Sequence, residues 1–279
     1  MEIETVSTAD QSLLGAVRDT LLNADSALLC VAFIHARGVH LVERELAALQ
    51  ERARLMVTTT FDQTNGSALA VAANLGAQVR TLNPGSGSTY HPKVYLSRRG
   101  RKVKAVVGSA NLTGGLATNV EVGVVMRGSL DDQPLATLND WAETIWNDDR
   151  GAHWVPAAAE GPGDDELAPW LLDALSREAS KDNVFLTLGR RAPNRVTDVT
   201  RSEVLVETGR SRSRSGQAAS IPAWMFNIAW DYLNANGTLT NDLLLNHLRV
   251  HRSSAVCAIL ARLPGIEQVP GQVALRLKR

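Results

Sequence analysis

The residues best suited to chemistry lie between His91 and Glu121, in the segment HPKVYLSRRGRKVKAVVGSANLTGGLATNVE. A neutral imidazole can attack phosphorus and leave a phosphohistidine. An ammonium, a hydroxyl and an amide can donate hydrogen bonds to phosphate oxygens on which charge develops. A carboxylate can fix the protonation of one ring nitrogen of a histidine or stabilise its imidazolium. The predicted catalytic residues are His91, Lys93, Ser109, Asn111 and Glu121.

These side chains need a sheet to position them, and the surrounding sequence alternates between strand and helix patterns. Residues two apart in a strand face the same way, so His91 and Lys93 share a face. Ser109 and Asn111 close the partner strand of a β-hairpin whose tip, 98–102, is basic. The predicted strands are 27–34, 55–59, 79–82, 93–97, 103–107 and 120–126, and the predicted helices are 39–50, 67–75 and 133–145. This alternation predicts an α/β fold with a mixed sheet flanked by helices.

In the segment from His91 to Glu121 the chain resembles the phospholipase D superfamily, whose motif is H-x-K, then an aspartate, then G-S-x-N. The match is carried by His91, Lys93, Ser109, Asn111 and Glu121 and covers roughly residues 20–150. The resemblance implies a phospholipase D-like sheet and phosphodiester hydrolysis without a metal. In outline the chain is similar to the single-motif nuclease branch, which includes restriction endonucleases that carry a DNA-binding domain after the catalytic one. One residue departs from the motif: Arg98 stands where the aspartate would fall.

The family resemblance also implies two histidines in each active site, of which one attacks and the other protonates the leaving oxygen. This chain offers one motif, and therefore one such histidine, His91. A homodimer with its two-fold axis through the site would bring two copies of His91 to one phosphate. We therefore expect a homodimer.

The N-terminal and C-terminal parts of the chain differ in net charge as well as in their pattern of strands and helices. Residues 181–279 hold 14 Lys and Arg against 7 Asp and Glu, a net charge of +7, whereas residues 1–180 hold 15 against 22, a net charge of −7. We predict a catalytic domain over 1–150, a linker with a short helix over 151–180, and a basic DNA-binding region over 181–279. Within that region, three helices and a two-stranded ribbon at about 218–279 predict a small, mainly α winged helix-turn-helix domain.

The basic excess favours a polyanionic partner, and we expect that partner to be DNA. In a helix-turn-helix the second helix of the pair enters the major groove with its N-terminal residues forward, while the wing contacts phosphates. The predicted DNA-binding residues are Arg210, Arg212 and Arg214 in a basic loop, Arg252, Ser253 and Ser254 at the start of that helix, and Arg276 and Lys278 on the wing.

Composition and motifs also bear on the compartment of the protein and on whether it binds a metal or a membrane. Cys30 and Cys257 each lie in an apolar segment, as expected for buried free thiols in a reducing cytoplasm. No Cys/His spacing or acidic motif predicts a metal site, and we expect no cofactor. The N-terminus lacks the features of a signal peptide, and no apolar run reaches the ~20 residues of a membrane helix.

Two alternatives to a nuclease remain open at this stage. Loss of the motif aspartate at Arg98 favours a catalytically inactive DNA-binding regulator that keeps the fold as a dimerisation platform. A phosphodiesterase acting on lipids is disfavoured by the basic Arg/Ser segment and by the single motif. Cleavage of plasmid DNA in EDTA would separate these alternatives.

Overall fold

The computed structural model describes residues 1–60, 63–64, 66–85, 87–154, 166–209 and 217–278. These residues form two compact units, Met1–Asp164 and Asp165–Arg279. None of the helices in the described ranges is both long enough and apolar enough to cross a lipid bilayer.

The first unit is built on an eight-stranded sheet with the order β1-β7-β6-β5-β2-β3-β4-β8. Strands β2, β3 and β4 run parallel to one another, and every other pairing is antiparallel. The strands are β1 (Glu2–Ser7), β2 (Ser26–Val31), β3 (Ala53–Val57), β4 (Gln78–Leu82), β5 (Lys93–Arg99), β6 (Lys102–Gly108), β7 (Val122–Ser129) and β8 (Gly151–His153). The predicted mixed α/β sheet flanked by helices is confirmed.

Helices cover both faces of the centre of this sheet, which explains the continuous apolar sequence of β2. Leu13 of α1 lies against Gly123 on one face, whereas Leu135 and Trp146 of α6 pack on the other face in a cluster with Leu28. The helices are α1 (Ser12–Leu21), α2 (Ala36–Leu41), α3 (Glu43–Leu49), α4 (Gly66–Asn74), α5 (Gly115–Thr118) and α6 (Gln133–Trp146).

Three features of this unit differ from the sequence prediction. Strand β1 and helix α1 were not predicted, and β1 pairs with β7 more than a hundred residues away, from Glu2 opposite Arg127 onward. The single helix predicted at 39–50 is two helices that meet at Val42, whose backbone is not helical. Residues Gly151–His153, predicted as the beginning of a linker, instead pair with β4 as an edge strand.

The second unit begins with α7 (Pro169–Lys181), which contacts β10. The sequence analysis expected this helix within the segment 151–180 between the domains, and it lies in the second unit, which begins at Asp165. A four-stranded antiparallel sheet follows, with the order β12-β11-β10-β9. Its strands are β9 (Val184–Leu186), β10 (Pro193–Val199), β11 (Glu203–Glu207) and β12 (Ala219–Pro222).

The last sixty residues contain two α-helices, a π-helical turn where the middle one of the three predicted helices was expected, and the predicted ribbon with one additional strand. Their elements are α8 (Ala223–Asn236), β13 (Thr238–Thr240), a π-helical turn (Leu243–His247), α9 (Ser253–Leu260), β14 (Ile266–Gln268) and β15 (Ala274–Leu277). Strand β15 lies between β13 and β14. The Thr240 hydroxyl accepts a hydrogen bond from the Leu243 amide at 3.1 Å, as expected for the residue that caps this turn.

Candidate active site

The predicted catalytic residues lie at one edge of the large sheet, the edge formed by the ends of its central strands. Strand β5 runs antiparallel to β2 and β6, so the start of β5 lies beside the ends of both neighbours. His91 and Lys93 stand at that start, and Ser109 follows the last residue of β6. Strand β7 begins beside it, with Glu121 immediately before its first residue. Antiparallel pairing of sequential strands therefore brings these residues to one edge.

His91 and Lys93 are in direct contact. The Lys93 Nζ atom lies 2.8 Å from Nδ1 and 3.2 Å from Nε2 of His91. An ammonium group has only donors, so the nitrogen that faces it must be unprotonated. Burial, together with the charge of Lys93, lowers the pKa of His91 below its ordinary value of 6.5. The imidazole is therefore neutral at neutral pH, which is the protonation state a nucleophile requires.

The Glu121 carboxylate lies on the other side of the site. It accepts hydrogen bonds from the Ser109 hydroxyl and, at 3.2 Å, from the Asn119 side-chain amide. Its charge raises the pKa of Lys93, although desolvation by burial outweighs this effect and the net shift is downward. Within the described residues Glu121 makes no hydrogen bond to His91, so the expected carboxylate–histidine contact is not formed inside one chain.

Asn111 reaches the site through Phe33, a residue that the sequence did not single out. The side-chain oxygen of Asn111 accepts a hydrogen bond from the Phe33 amide at 3.1 Å. The Phe33 ring packs edge-on against the His91 ring, with 5.6 Å between centroids. Phe33, just after β2, thus contacts both the H-x-K part of the motif, through His91, and the G-S-x-N part, through Asn111. Its position just after a strand parallel to β3 is the signal that would have indicated it.

Two glycines let the site segments approach closely. A Cβ on Gly108 would lie 2.4 Å from the carbonyl oxygen of Val122, so only glycine permits β6 and β7 to pair there. The adjacent Ser109 amide then donates to that same carbonyl at 3.0 Å. A Cβ on Gly38 would lie 2.1 Å from the carbonyl oxygen of Leu112, next to Asn111. Helix α2 thereby sets the position of the Asn111 loop, which is the segment 109–114 between β6 and α5.

Thr8 anchors the backbone of Glu121. The amide of Glu121 donates to the Thr8 hydroxyl at 3.0 Å, and the Thr8 amide donates to the Glu121 carbonyl at 3.1 Å. No local pattern predicts this contact, because it depends on strand β1, which was not predicted.

Arg98, which replaces the motif aspartate, lies away from these residues. Residues alternate along β5, so Arg98 faces α6 whereas Lys93 faces α1. On the α6 side Arg54 donates hydrogen bonds of 2.8 and 2.6 Å to Glu143. These bonds and the charges of Arg54 and Arg98 lower the pKa of Glu143 against the effect of burial. The charge of Arg98 therefore lowers the pKa of a carboxyl group on α6. Arg98 itself lies about 17 Å along β5 from Lys93.

The predicted DNA-binding residues all belong to the second unit, and the described ones differ in their exposure to solvent. Arg252, Ser254, Arg276 and Lys278 are exposed, although Arg276 forms an ion pair with Glu267 on the neighbouring strand. Ser253 is buried, because the first turn of α9 directs its side chain inward, and we withdraw it from the predicted interface. Three further residues, Arg210, Arg212 and Arg214, lie outside the described residues.

Two other predictions concern metals and thiols. Across the described ranges, no three or more His, Cys, Asp or Glu side chains are grouped so that they could hold a metal ion. Cys30 and Cys257 are free and buried, as predicted, and burial raises the pKa of each thiol to about 12.

Comparison with known proteins gives likeness in structure only, since no family model and no curated protein matches the chain. The chain is similar to the phospholipase D family member Nuc from Salmonella typhimurium, with 18% identity, a TM-score of 0.43 and coverage of 55% of this chain and 97% of that one. NucT from Helicobacter pylori is 12% identical, with a TM-score of 0.41 and coverage of 55% and 99%. The phosphatidylserine synthase of Haemophilus influenzae Rd KW20 is 14% identical, with a TM-score of 0.39 and coverage of 55% and 40%. With TM-scores below 0.5, these likenesses support no inference about activity, which depends on the residues of this chain.

Proposed function

We propose that this protein is a metal-independent endonuclease of the restriction or defence type that hydrolyses DNA phosphodiesters. The observation that carries the proposal is the contact between a neutral imidazole, His91, and the ammonium group of Lys93 at a sheet edge. Asn111 lies at the same edge and can donate a hydrogen bond from its side-chain nitrogen to a phosphate oxygen, and the Ser109 hydroxyl can do the same once it turns away from Glu121.

The reaction would proceed by two displacements at phosphorus. A bound phosphate attracts the Lys93 ammonium and so frees the His91 nitrogen that this ammonium contacts. That nitrogen attacks phosphorus, the bond to the leaving oxygen breaks, and an acid protonates the leaving oxygen. Water then attacks the phosphohistidine and gives a proton to the group that protonated the leaving oxygen, the phosphorus–nitrogen bond breaks, and both groups return to their starting forms.

The acid would be His91 of a second copy of this chain, since the motif occurs once. The two imidazoles around a bound phosphate anion titrate as a coupled pair that shares one proton, and the second His91 carries that proton when the first attacks. An exposed apolar strip next to the site supports this homodimer. Val122 and Val124 lie on one face of β7 and are 54% and 36% exposed, and the preceding Val120 is fully exposed. Such a strip beginning one residue from Glu121 is suited to a second copy of the same chain.

Plasmid cleavage in EDTA tests the catalytic proposal. We expect the native protein and the control variant His153→Ala, which changes an exposed histidine on β8, to cleave equally. His91→Ala should lose cleavage, and rapid quenching of the native reaction should trap a DNA strand joined to His91 through an acid-labile phosphorus–nitrogen bond. EDTA-resistant cleavage by His91→Ala would exclude His91 as the nucleophile. Tight DNA binding without cleavage of any substrate would favour the inactive regulator instead.

Mixing native protein with excess His91→Ala tests the shared site. If each site needs two copies of His91, activity falls with the square of the native fraction after subunit exchange, whereas a complete single-chain site gives a linear fall. Val122→Asp should produce monomers in sedimentation experiments and lose cleavage together with dimerisation. A Val122→Asp variant that stays dimeric would exclude the valine strip as the interface.

A further inference from the structure

We propose that the tip of the β5–β6 hairpin and the end of α1 form a second binding site for phosphate groups. This hairpin cavity is open, has a volume of about 740 Å³, and lies at the opposite end of β5 from His91. The residues that carry the argument are Asp19, Thr20, Arg99, Arg101, Lys102 and Lys104, all of which line it.

The pairing of the hairpin places like charges opposite each other. Arg99 pairs with Lys102, and Ser97 pairs with Lys104 at the next position on the same face. Like charges directly opposite each other on paired strands destabilise a hairpin. A bound anion between Arg99 and Lys102 would replace this repulsion with two attractions.

The cations of the cavity are free or only weakly held. Lys104 contacts Asp19 at 3.0 Å and Arg101 pairs with Asp131, but both ion pairs are solvent-exposed and such pairs contribute little. Elsewhere in the described chain neither Arg99 nor Lys102 finds an ion pair or a side-chain hydrogen bond. An arginine fork and a lysine ammonium are the groups that bind phosphate oxygens most often.

A buried hydroxyl provides a second, independent indication of a ligand. Thr20 is 1% exposed, and its hydroxyl has no hydrogen-bond partner among the described residues. An unsatisfied buried hydroxyl destabilises the folded protein, and a phosphate oxygen that accepts its proton would offset this effect. The hairpin tip is also held in place, because the Gly100 amide donates to the Asp25 carboxylate at 2.7 Å and the Asp25 amide donates to the Arg98 carbonyl at 2.8 Å.

The cavity is basic within an acidic unit. Its lining residues carry four positive charges against the single negative charge of Asp19. Residues 1–164 as a whole hold 14 Lys and Arg against 18 Asp and Glu, a net charge of −4. A local excess of this sign concentrates phosphate-bearing ligands at the hairpin.

The phosphates can come from a nucleic acid or from a free polyphosphate. Six residue steps along β5 from Lys93 to Arg99 span about 20 Å. A nucleic acid that occupied both sites would therefore extend about six base pairs from the cleaved bond. For nucleic acid as the ligand, the inference rests on the function proposed above, whereas for a free polyphosphate it stands alone.

The test compares two double variants in an inactive His91→Ala background. Arg99→Gln with Lys102→Gln removes both charges, and Arg99→Lys with Lys102→Arg, the matched control, keeps them. All three proteins are first shown to have the same melting temperature. Binding of a duplex of about 30 base pairs is then measured between about 50 and 200 mM salt. Binding of inorganic triphosphate is measured by calorimetry.

We expect removal of both charges to lower the salt dependence of duplex binding, log K against log salt concentration, by about 2 and to abolish triphosphate binding. The charge-preserving control should behave like its parent. Unchanged duplex and triphosphate binding without the two charges would overturn the proposal, as would an equal loss in the charge-preserving control. If no variant binds duplex but triphosphate binding still depends on Arg99 and Lys102, the hairpin cavity is supported while the nuclease proposal fails.

Discussion

Replacing Gly38 with alanine tests whether helix α2 sets the position of the Asn111 loop. The new Cβ would lie 2.1 Å from the Leu112 carbonyl oxygen and 2.4 Å from the Thr113 amide nitrogen. Ordinary van der Waals contact begins at 3.4 Å, so the loop or the helix must move by 3.4 − 2.1, or 1.3 Å. The contacting atoms are backbone and cannot rotate away as a side chain would.

This displacement has two measurable consequences. Overpacking of this kind costs about 1–3 kcal/mol of unfolding free energy, and each kcal/mol lowers the melting temperature of a unit of this size by about 2–4 °C. A misplacement of about 1 Å in an active site can lower the rate about 100-fold. We therefore expect Gly38→Ala to melt several degrees lower and to cleave plasmid DNA about 100-fold more slowly at saturating substrate.

Gly15→Ala is the matched control. No heavy atom outside the neighbouring backbone of α1 lies within 4 Å of the Cβ position of Gly15. This residue lies inside α1, where alanine stabilises a helix by up to about 1 kcal/mol over glycine. We expect this variant to melt at the same temperature as the native protein or higher, with an unchanged cleavage rate. A Gly38→Ala variant with native melting temperature and native activity would refute the argument that α2 positions Asn111.

Three further outcomes follow from the structure. Lys93→Met should raise the pKa of His91, because a nearby positive charge is lost while burial remains, and an unchanged NMR titration of the His91 ring would contradict the contact. Arg54 lowers the pKa of Glu143 below 4.5, so the ionised carboxylate stabilises the fold above that pH and this stability is lost as the pH falls through the lowered value. The difference in unfolding free energy between the native protein and Glu143→Gln should therefore shrink from about pH 7 to about pH 3, and a constant difference would count against the ion pair. Cys30, with a pKa of about 12, should resist thiol reagents until the first unit unfolds, and rapid labelling of the native protein would contradict its burial.

Much of the first unit can be predicted because its signals are local. The apolar run of β2 and the basic hairpin tip depend on neighbouring residues, and strands that follow one another along the chain pair in the sheet. This local pairing is the reason that His91, Lys93 and Ser109 could be placed at one edge from spacing alone. Strand β10 was missed because exposed polar residues dominate its sequence, which conceals the alternation of a half-buried strand.

Other contacts of the site depend on residues far apart along the chain. Thr8 holds Glu121 across 113 residues, and Phe33 meets Asn111 across 78. No local pattern encodes such a distance, because the pairing depends on which faces the complete sheet buries. Arg98 illustrates the same limit, since only the packing of α6 shows that its charge lowers the pKa of Glu143 and lies away from the predicted catalytic residues.

Residue type and strand period are local properties, so the chemical groups of the site and their order along the chain, from the H-x-K pair to the carboxylate of Glu121, are known from the sequence. How those groups meet depends on the complete fold. It set Lys93 against His91, directed Glu121 to Ser109, and showed that Arg99 and Lys102 line a cavity of their own. Distances and burial are set by the packing of whole elements, and the identity of one residue does not determine them.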